Sequence, residues 1–458
     1  MKRPRLSREI LRLAIPSILA NITVPLVGLV DIAISGHLGD MAAQEGFSAA
    51  ALIGGISVGT MLFNLLYWNF EFLWTGTGGL TAQAFGEVNG TDSPDFSPCR
   101  PILLRALGIA WISAFFIIVF QWVLLHFGLL FFDSSPEVRA LASKYFYIRI
   151  WAAPATLSLF ALKGWFIGMQ DTVSPMITDI TVNGLNIVLS IFLAFGPPSL
   201  GFSGIALGTL LAQWIGIMVG VALVAIKYRR TVFRTFTIIE LRGLFKNPAE
   251  MKIYFAMNAD LLIRSFAMIS IHVGFTAVAS HYGDVSLSVC SIMLQLMMIF
   301  SYFTDGFAYA GEAMTGKYIG LKDSESLSST VREVFSWSMG IVVVFIFIYA
   351  FMGKGMFRIM TSDQAVLSAA VPFLPWLVIM PIFGCPAYTW DGIYIGATAT
   401  REMAAATVVS SLIFFALVAL GGRLLPSERV HVLLGSYVFH LAVRTVWLTL
   451  TARKAITI

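Results

Sequence analysis

Carboxylates embedded in long apolar runs have few uses, and this sequence holds several. Asp31 lies in a stretch, Asn21 to Ser35, that is almost wholly aliphatic. A charge placed in hydrocarbon costs at least ~2.5–3.5 kcal/mol on insertion scales and ordinarily faces a cavity or a partner. Proton or cation binding is the chemistry that suits it; the plainer alternative is an acid solvated at a surface. Asp179, Asn183, Asn186 and Ser190 follow at steps of four, three and four, which places them on one helical face. Such a stripe serves either a binding site or hydrogen bonds to a neighbouring helix. By depth, Asp31, Asn186 and Ser190 are expected to form one outer site. Ser301, Asp305, Tyr309 and Glu312 repeat the device at steps of four, four and three. Asp260 and Arg264 are spaced i,i+4 with the acid first, the favourable order for an ion pair. Lys163 and Asp391, separated by 228 positions and opposite in charge, are candidates for a pair across two halves of the chain.

The elements that position these groups follow from composition. Of 458 residues, 58% are hydrophobic and 12% charged, against about 25% charged in a soluble domain. Too few charges remain to coat a water-soluble surface, so a soluble fold is excluded. Long apolar runs broken by polar clusters predict twelve helices, at roughly 10–36, 46–79, 101–128, 145–168, 173–195, 204–226, 259–280, 285–313, 331–352, 369–396, 403–421 and 430–450. The runs are continuous rather than alternating, which excludes a β-barrel. With the N-terminus placed inside, nineteen lysines and arginines fall on the inner side and six on the outer. The positive-inside rule therefore supports twelve crossings with both termini cytoplasmic. The apolar stretch after the first basic residues is too long for a signal peptide and reads as an uncleaved first span. Cys99, Cys290 and Cys385 have no metal-ligand spacing, and no metal or disulfide is expected.

The halves resemble each other. His37-Leu-Gly-Asp40 recurs as His281-Tyr-Gly-Asp284, Thr81–Gly86 as Thr315–Gly320, and Gly164-Trp-Phe-Ile-Gly168 with Thr172 as Gly392-Ile-Tyr-Ile-Gly396 with Thr400. Six spans per repeat is an even number, so both halves enter the bilayer in the same sense and their symmetry axis is expected along the membrane normal. The predicted domains are an N-lobe at 1–226, a basic connector at 227–258 lying against anionic headgroups, and a C-lobe at 259–458. No phosphate-binding loop, dinucleotide fingerprint or hydrolase motif occurs, so ATP is not the energy source within this chain.

Asn21-Ile-Thr-Val-Pro25 through Asp31 to Gly36-His-Leu-Gly39, Gly79-Leu-Thr-Ala-Gln-Ala-Phe-Gly86, Asn258-Ala-Asp260 with Arg264, Asp305–Ala310 with Glu312, and Asp391-Gly392 with Ile395–Thr398 resemble, in order, the multidrug and toxic compound extrusion (MATE) family and its DinF branch. The resemblance implies an all-α polytopic fold of two six-helix lobes in a V shape, and efflux driven by entry of a proton or sodium ion. It implies that Asp31 couples the ion, together with Asn183 and Asn186. Ser190 departs from it: many relatives have a second aspartate there, and its replacement here removes one carboxylate of a two-acid sodium site, so a single Asp31 fits a proton better than sodium. Asp305, Glu312, Tyr309, Asp260, Arg264, Asp391, Asp179 and Lys163 are expected to line the substrate cleft or its gates. Glu71 and Lys163 take no role from the resemblance. The expectation is a monomeric inner-membrane antiporter that exports amphipathic organic compounds, with no cofactor beyond the coupling ion, no nucleic-acid partner and no enzymatic activity. The rivals are a flippase for lipid-linked precursors, which predicts a cleft richer in arginine than in acids, and a membrane-embedded transferase.

Overall fold

The computed structural model describes residues 3–38, 48–91, 95–130, 132, 134–197, 199–232, 248–361 and 363–456, and among these no strand occurs. Helices are the expected answer, because in hydrocarbon each backbone N–H and C=O must be satisfied within its own segment. Among the described residues, twelve helical spans are long and apolar enough to cross a membrane: Arg5–Ser35, Ala51–Asn89, Cys99–Val119, Pro136–Gly168, Val173–Phe195, Gly201–Lys227, Tyr254–Ser280, Asp284–Gly320, Ser324–Met360, Gln364–Gly396, Thr400–Leu424 and Pro426–Ala455. They are numbered spans 1 to 12 below.

The count agrees with the apolar runs, but several ends do not. Span 2 continues about ten residues beyond the predicted end at 79, span 4 begins nine residues before 145, and span 9 begins at Ser324 rather than 331. Hydropathy falls at the membrane edge, whereas a helix stops only where its backbone is capped. Ser135 accepts a hydrogen bond from the Val138 amide before span 4, and Asp323 accepts one from the Ser326 amide before span 9. Span 2 also departs from a single continuous helix. Its first helix ends at Trp68 and its second begins at Phe72. Between them Phe70 and Glu71 donate to the carbonyls three residues back, Tyr67 and Trp68, a local tightening of the helix.

By contacts the chain divides into two compact units. One comprises Met1–Ile18, Gly78–Asp92 and Ile253–Ile458, the other Leu19–Thr77 and Ser93–Lys252. The second has a core of Phe63, Tyr145, Phe146, Leu157 and Phe202; the first has one built on Phe275, Met293, Phe300, Phe345, Tyr349 and Leu433. Within the first unit the start of span 1 and the end of span 2 pack on spans 8, 9 and 10. Ser7 donates to Glu333, Lys317 to Glu9, and Gln83 Nε2 to both the Gly396 carbonyl and the Thr398 hydroxyl.

The repeat is visible in the backbone of one matched pair. After span 4, Met169, Gln170 and Asp171 donate to the carbonyls of Trp165, Ile167 and Phe166; after span 10, Ala397, Thr398 and Ala399 donate to Ile393, Ile395 and Tyr394. Gln170 and Thr398, 228 positions apart, both have positive φ, at 62° and 55°. The first match, which runs to Gly39-Asp40, and the connector from 233 to 247 lie outside the described residues.

Candidate functional site

Asp31 is 5% exposed, and its Oδ1 has no hydrogen-bond partner. Arg149 of span 4 lies within electrostatic reach of it. That guanidinium donates to the Tyr145 hydroxyl at 3.0 Å and sits 4.7 Å from the centre of the Phe63 ring, a cation–π arrangement. A buried acid thus has a half-buried cation in its neighbourhood, with aromatic rings around that cation.

The polar stripe of span 5 fans out over its neighbours. Asp179 accepts from Lys163 of span 4 at 3.0 Å, and that ammonium lies 4.8 Å above the Trp74 ring. Asn183 donates to Thr23 of span 1 at 2.6 Å. Asn186 donates to Thr209 of span 6 at 2.8 Å, and Ser190 to the Ile205 carbonyl. One face in sequence therefore addresses three spans, because the stripe runs ~16 Å along the helix axis. Asn186 Oδ1 stays buried with no partner, an acceptor at hand for a bound group. Ser190 is tightly packed: a Cβ at Gly208 would lie 2.6 Å from its Oγ. Thr23 and Asn183 thus tie span 1 to span 5, while Ser190 belongs to the span 5–span 6 packing; among the described residues the hydrogen bonds of Asn186 and Ser190 run to span 6.

In the first unit Asp391 is gripped by two guanidiniums. Arg264 of span 7 reaches its Oδ2 at 2.8 Å, and Arg444 of span 12 bonds the same oxygen. Arg444 is wholly buried, and its Nη1 also donates to the Met268 sulfur. This corrects the expected Lys163–Asp391 pairing: Lys163 is bound to Asp179 and Asp391 to arginines, each inside its own unit. Opposite charge at equivalent repeat positions did not mean partnership, because nearer ions were present on adjacent helices. Asp260 accepts from Thr400 at 3.1 Å. On span 8, Tyr309 is buried, Asp305 is partly buried and within electrostatic reach of Tyr302 and Tyr388, and Glu312 is 1% exposed.

Arg149 and Arg444 are not among the site residues expected from the sequence. The signal was present, since Tyr147-Ile-Arg149-Ile-Trp and Ala442-Val-Arg444-Thr-Val place an arginine in an apolar run, the same criterion that singled out the acids. Among the described residues no group of His, Cys, Asp or Glu has the makings of a metal site, and the three cysteines are free and buried.

Outside the spans, Asp171 joins the end of span 6 to the start of span 5. It accepts from the Ser174 amide and hydroxyl, from Lys227 at 2.9 Å and from the Tyr228 hydroxyl at 3.1 Å. Burial alone would push the Asp171 carboxyl up, but the bonds from Ser174 and the Lys227 ammonium outweigh it and hold the group below its ordinary range.

Comparison with known proteins agrees with this architecture. The MatE family model matches residues 16–192 and 261–420. DNA damage-inducible protein F of Escherichia coli (strain K12) is 31% identical over 392 residues, covering 85% of this chain and 81% of that protein. The probable multidrug resistance protein NorM of Photorhabdus laumondii is 22% identical, covering 86% and 83%. A crystal structure of a MATE protein in the bent conformation superposes with a TM-score of 0.82 at 17% identity, over 100% of this chain and 98% of that one. With twelve spans, a matching family model over most of its length and a relative of this identity, the chain belongs to the MATE family of multi-pass membrane transporters.

Proposed function

We propose that this protein is a proton-coupled antiporter that exports amphipathic organic compounds, and that Asp31 carries the coupling proton. The observation that carries the reading is the Asp31 carboxylate, buried in span 1 with one oxygen unpartnered and a half-buried cation, Arg149, in reach. Protonation removes the charge that attracts a cationic substrate, and it changes the electrostatic balance with Arg149. A ligand drives such a switch only through different affinities for the two states, and a group whose charge decides that affinity is suited to it. Asn183 and Asn186 support the site from span 5. The remaining polar groups, Asp179 with Lys163 over Trp74, Tyr309 with Asp305, and the Asp260 and Asp391 clusters, are assigned to substrate contact and gating. Aromatic residues, 13% of the chain, suit flat organic substrates.

The chain is placed in the inner membrane as a monomer with both termini cytoplasmic, working without a cofactor. Efflux from proteoliposomes tests the reading. An outward-directed dye flux that follows an imposed pH gradient in choline medium supports it; flux that needs a sodium gradient and ignores the pH gradient assigns the coupling to sodium.

The flippase reading gains one observation, the two buried arginines on Asp391. Those guanidiniums, however, are already bound to a carboxylate. Transport of a lipid-linked precursor in the same vesicles, without pH-driven dye flux, would favour it.

A further inference from the structure

We propose that Glu312 is a second proton site, which exchanges its proton only when the seam between spans 2, 8 and 10 separates. The inference rests on the reading that the chain alternates between states, and it concerns a residue far in sequence from Asp31.

The seam is built on backbone contact. Beside Glu312, the place a Cβ would occupy at Gly396 of span 10 is filled by the Glu312 carbonyl itself; one turn earlier Gly392 lies against the Ala308 carbonyl, and one turn later Gly316 lies against Ala82 of span 2. Residues 308, 312 and 316 form one ridge of span 8, closed against span 10 along its length and against span 2 at its end. Glu312 sits within this ridge at 1% exposure, and its Oε1 accepts no hydrogen bond. A carboxyl buried this deeply, with one oxygen unpartnered, is more stable as the neutral acid than as the ion.

The charged and titratable groups on the surrounding elements are otherwise engaged. Asp391 of span 10 is bound by Arg264 and Arg444, and Tyr394 donates to the Leu448 carbonyl. Lys317 of span 8 reaches Glu9 of span 1, and Glu333 of span 9 accepts from Ser7. Arg5, Arg8 and Arg12 of span 1, Glu87 of span 2 and Arg332 of span 9 are exposed. On span 8 itself Asp305 and Tyr309 precede Glu312 by seven and three residues, and Tyr318 is buried six residues beyond it. None of these is a partner of Oε1.

Separation of the seam admits water, the carboxyl releases its proton to that side, and the resulting carboxylate resists reburial until it is protonated again. Seam opening and one proton are thereby linked, independently of Asp31. Low pH holds the seam shut and high pH favours its opening.

Two measurements on the full chain in lipid vesicles test this. Infrared pH-difference spectra of the wild type should contain the carbonyl stretch of a protonated carboxylic acid that Glu312→Gln lacks. The same band in both proteins would overturn the proposal. In the second, Thr81→Cys, a buried seam position on span 2, is labelled with a maleimide, with the protein lacking this substitution as the blank. Labelling, normalised at each pH to that of an exposed thiol so that thiol ionisation cancels, should accelerate with pH, by up to about tenfold per pH unit for a one-proton linkage, and should stay slow at every pH when Glu312→Gln is added. An unchanged pH profile in Glu312→Gln overturns the proposal. Should that variant not fold, Glu312→Asp decides in the same assays: a displaced band and labelling midpoint support the site, and unchanged ones overturn it. Asp31→Asn should leave both signatures in place, so failure of the Asp31 reading and failure of this one are separable.

Discussion

Asp391 and Asp171 illustrate two uses of an acid in this protein. Asp391 faces two buried guanidiniums, Arg264 and Arg444. Breaking a buried charge cluster by removing one member ordinarily costs about 3–5 kcal/mol, because charge is left behind without a partner. Asp391→Asn is therefore expected to lose most of its folded yield, read by fluorescence-detected size exclusion in detergent. Asp171 lies outside the spans, and its four bonds tie the start of span 5 to Lys227 and Tyr228. Asp171→Ala is expected to cost about 1–2 kcal/mol, the scale of a lost helix-end acceptor. Its folded-state pKa is depressed, so its contribution is present above the ordinary carboxylate range and lost as pH falls through the folded value. Thermal melts should show the gap between wild type and Asp171→Ala narrowing as the medium is acidified below about pH 4, and constant from neutral pH down to the start of that range.

At the scale of elements, the repeat is carried by helix ends as much as by sequence. Gln170 and Thr398 close spans 4 and 10 with the same hydrogen-bond pattern and the same left-handed φ. That conformation costs a residue with a Cβ roughly 1–2 kcal/mol. Gln170→Gly is expected to raise the melting temperature through a gain of up to about 1 kcal/mol. Thr398→Gly should show no such gain, because Thr398 also accepts from Gln83 of span 2. Equal stabilisation by both would show that this contact contributes nothing. Much of the element scale is readable from the chain: twelve apolar runs, the 228-residue offset and the charge asymmetry each report directly. Span ends are not, because caps such as Asp323 act beyond the point where hydropathy falls. Nor are ion-pair partners. Asp260 and Arg264 are four apart in sequence, yet Arg264 reaches across to Asp391, and only packing brings Arg444 to the same oxygen. The importance of Asp31 is legible from its apolar surroundings; that Arg149 stands near it is a product of tertiary structure.

For the whole molecule, the chain's own charge economy frames the account. Most lysines and arginines sit outside the apolar runs, and the acids within those runs include paired ones, Asp179 and Asp391, and ones left with an unpartnered oxygen, Asp31 and Glu312. A transporter needs at least one such group whose charge state changes during the cycle, and in this account Asp31 serves, with Glu312 registering the seam. Pairing elsewhere holds other charges in place, as Asp391 between two arginines shows. The measurement that bears most directly on this is gradient-driven efflux in proteoliposomes, comparing wild type with Asp31→Asn at equal reconstitution and with binding of the same dye measured alongside. The account predicts that Asp31→Asn folds and is inserted but loses the response of efflux to the imposed pH gradient. Undiminished pH-driven export by Asp31→Asn would contradict it.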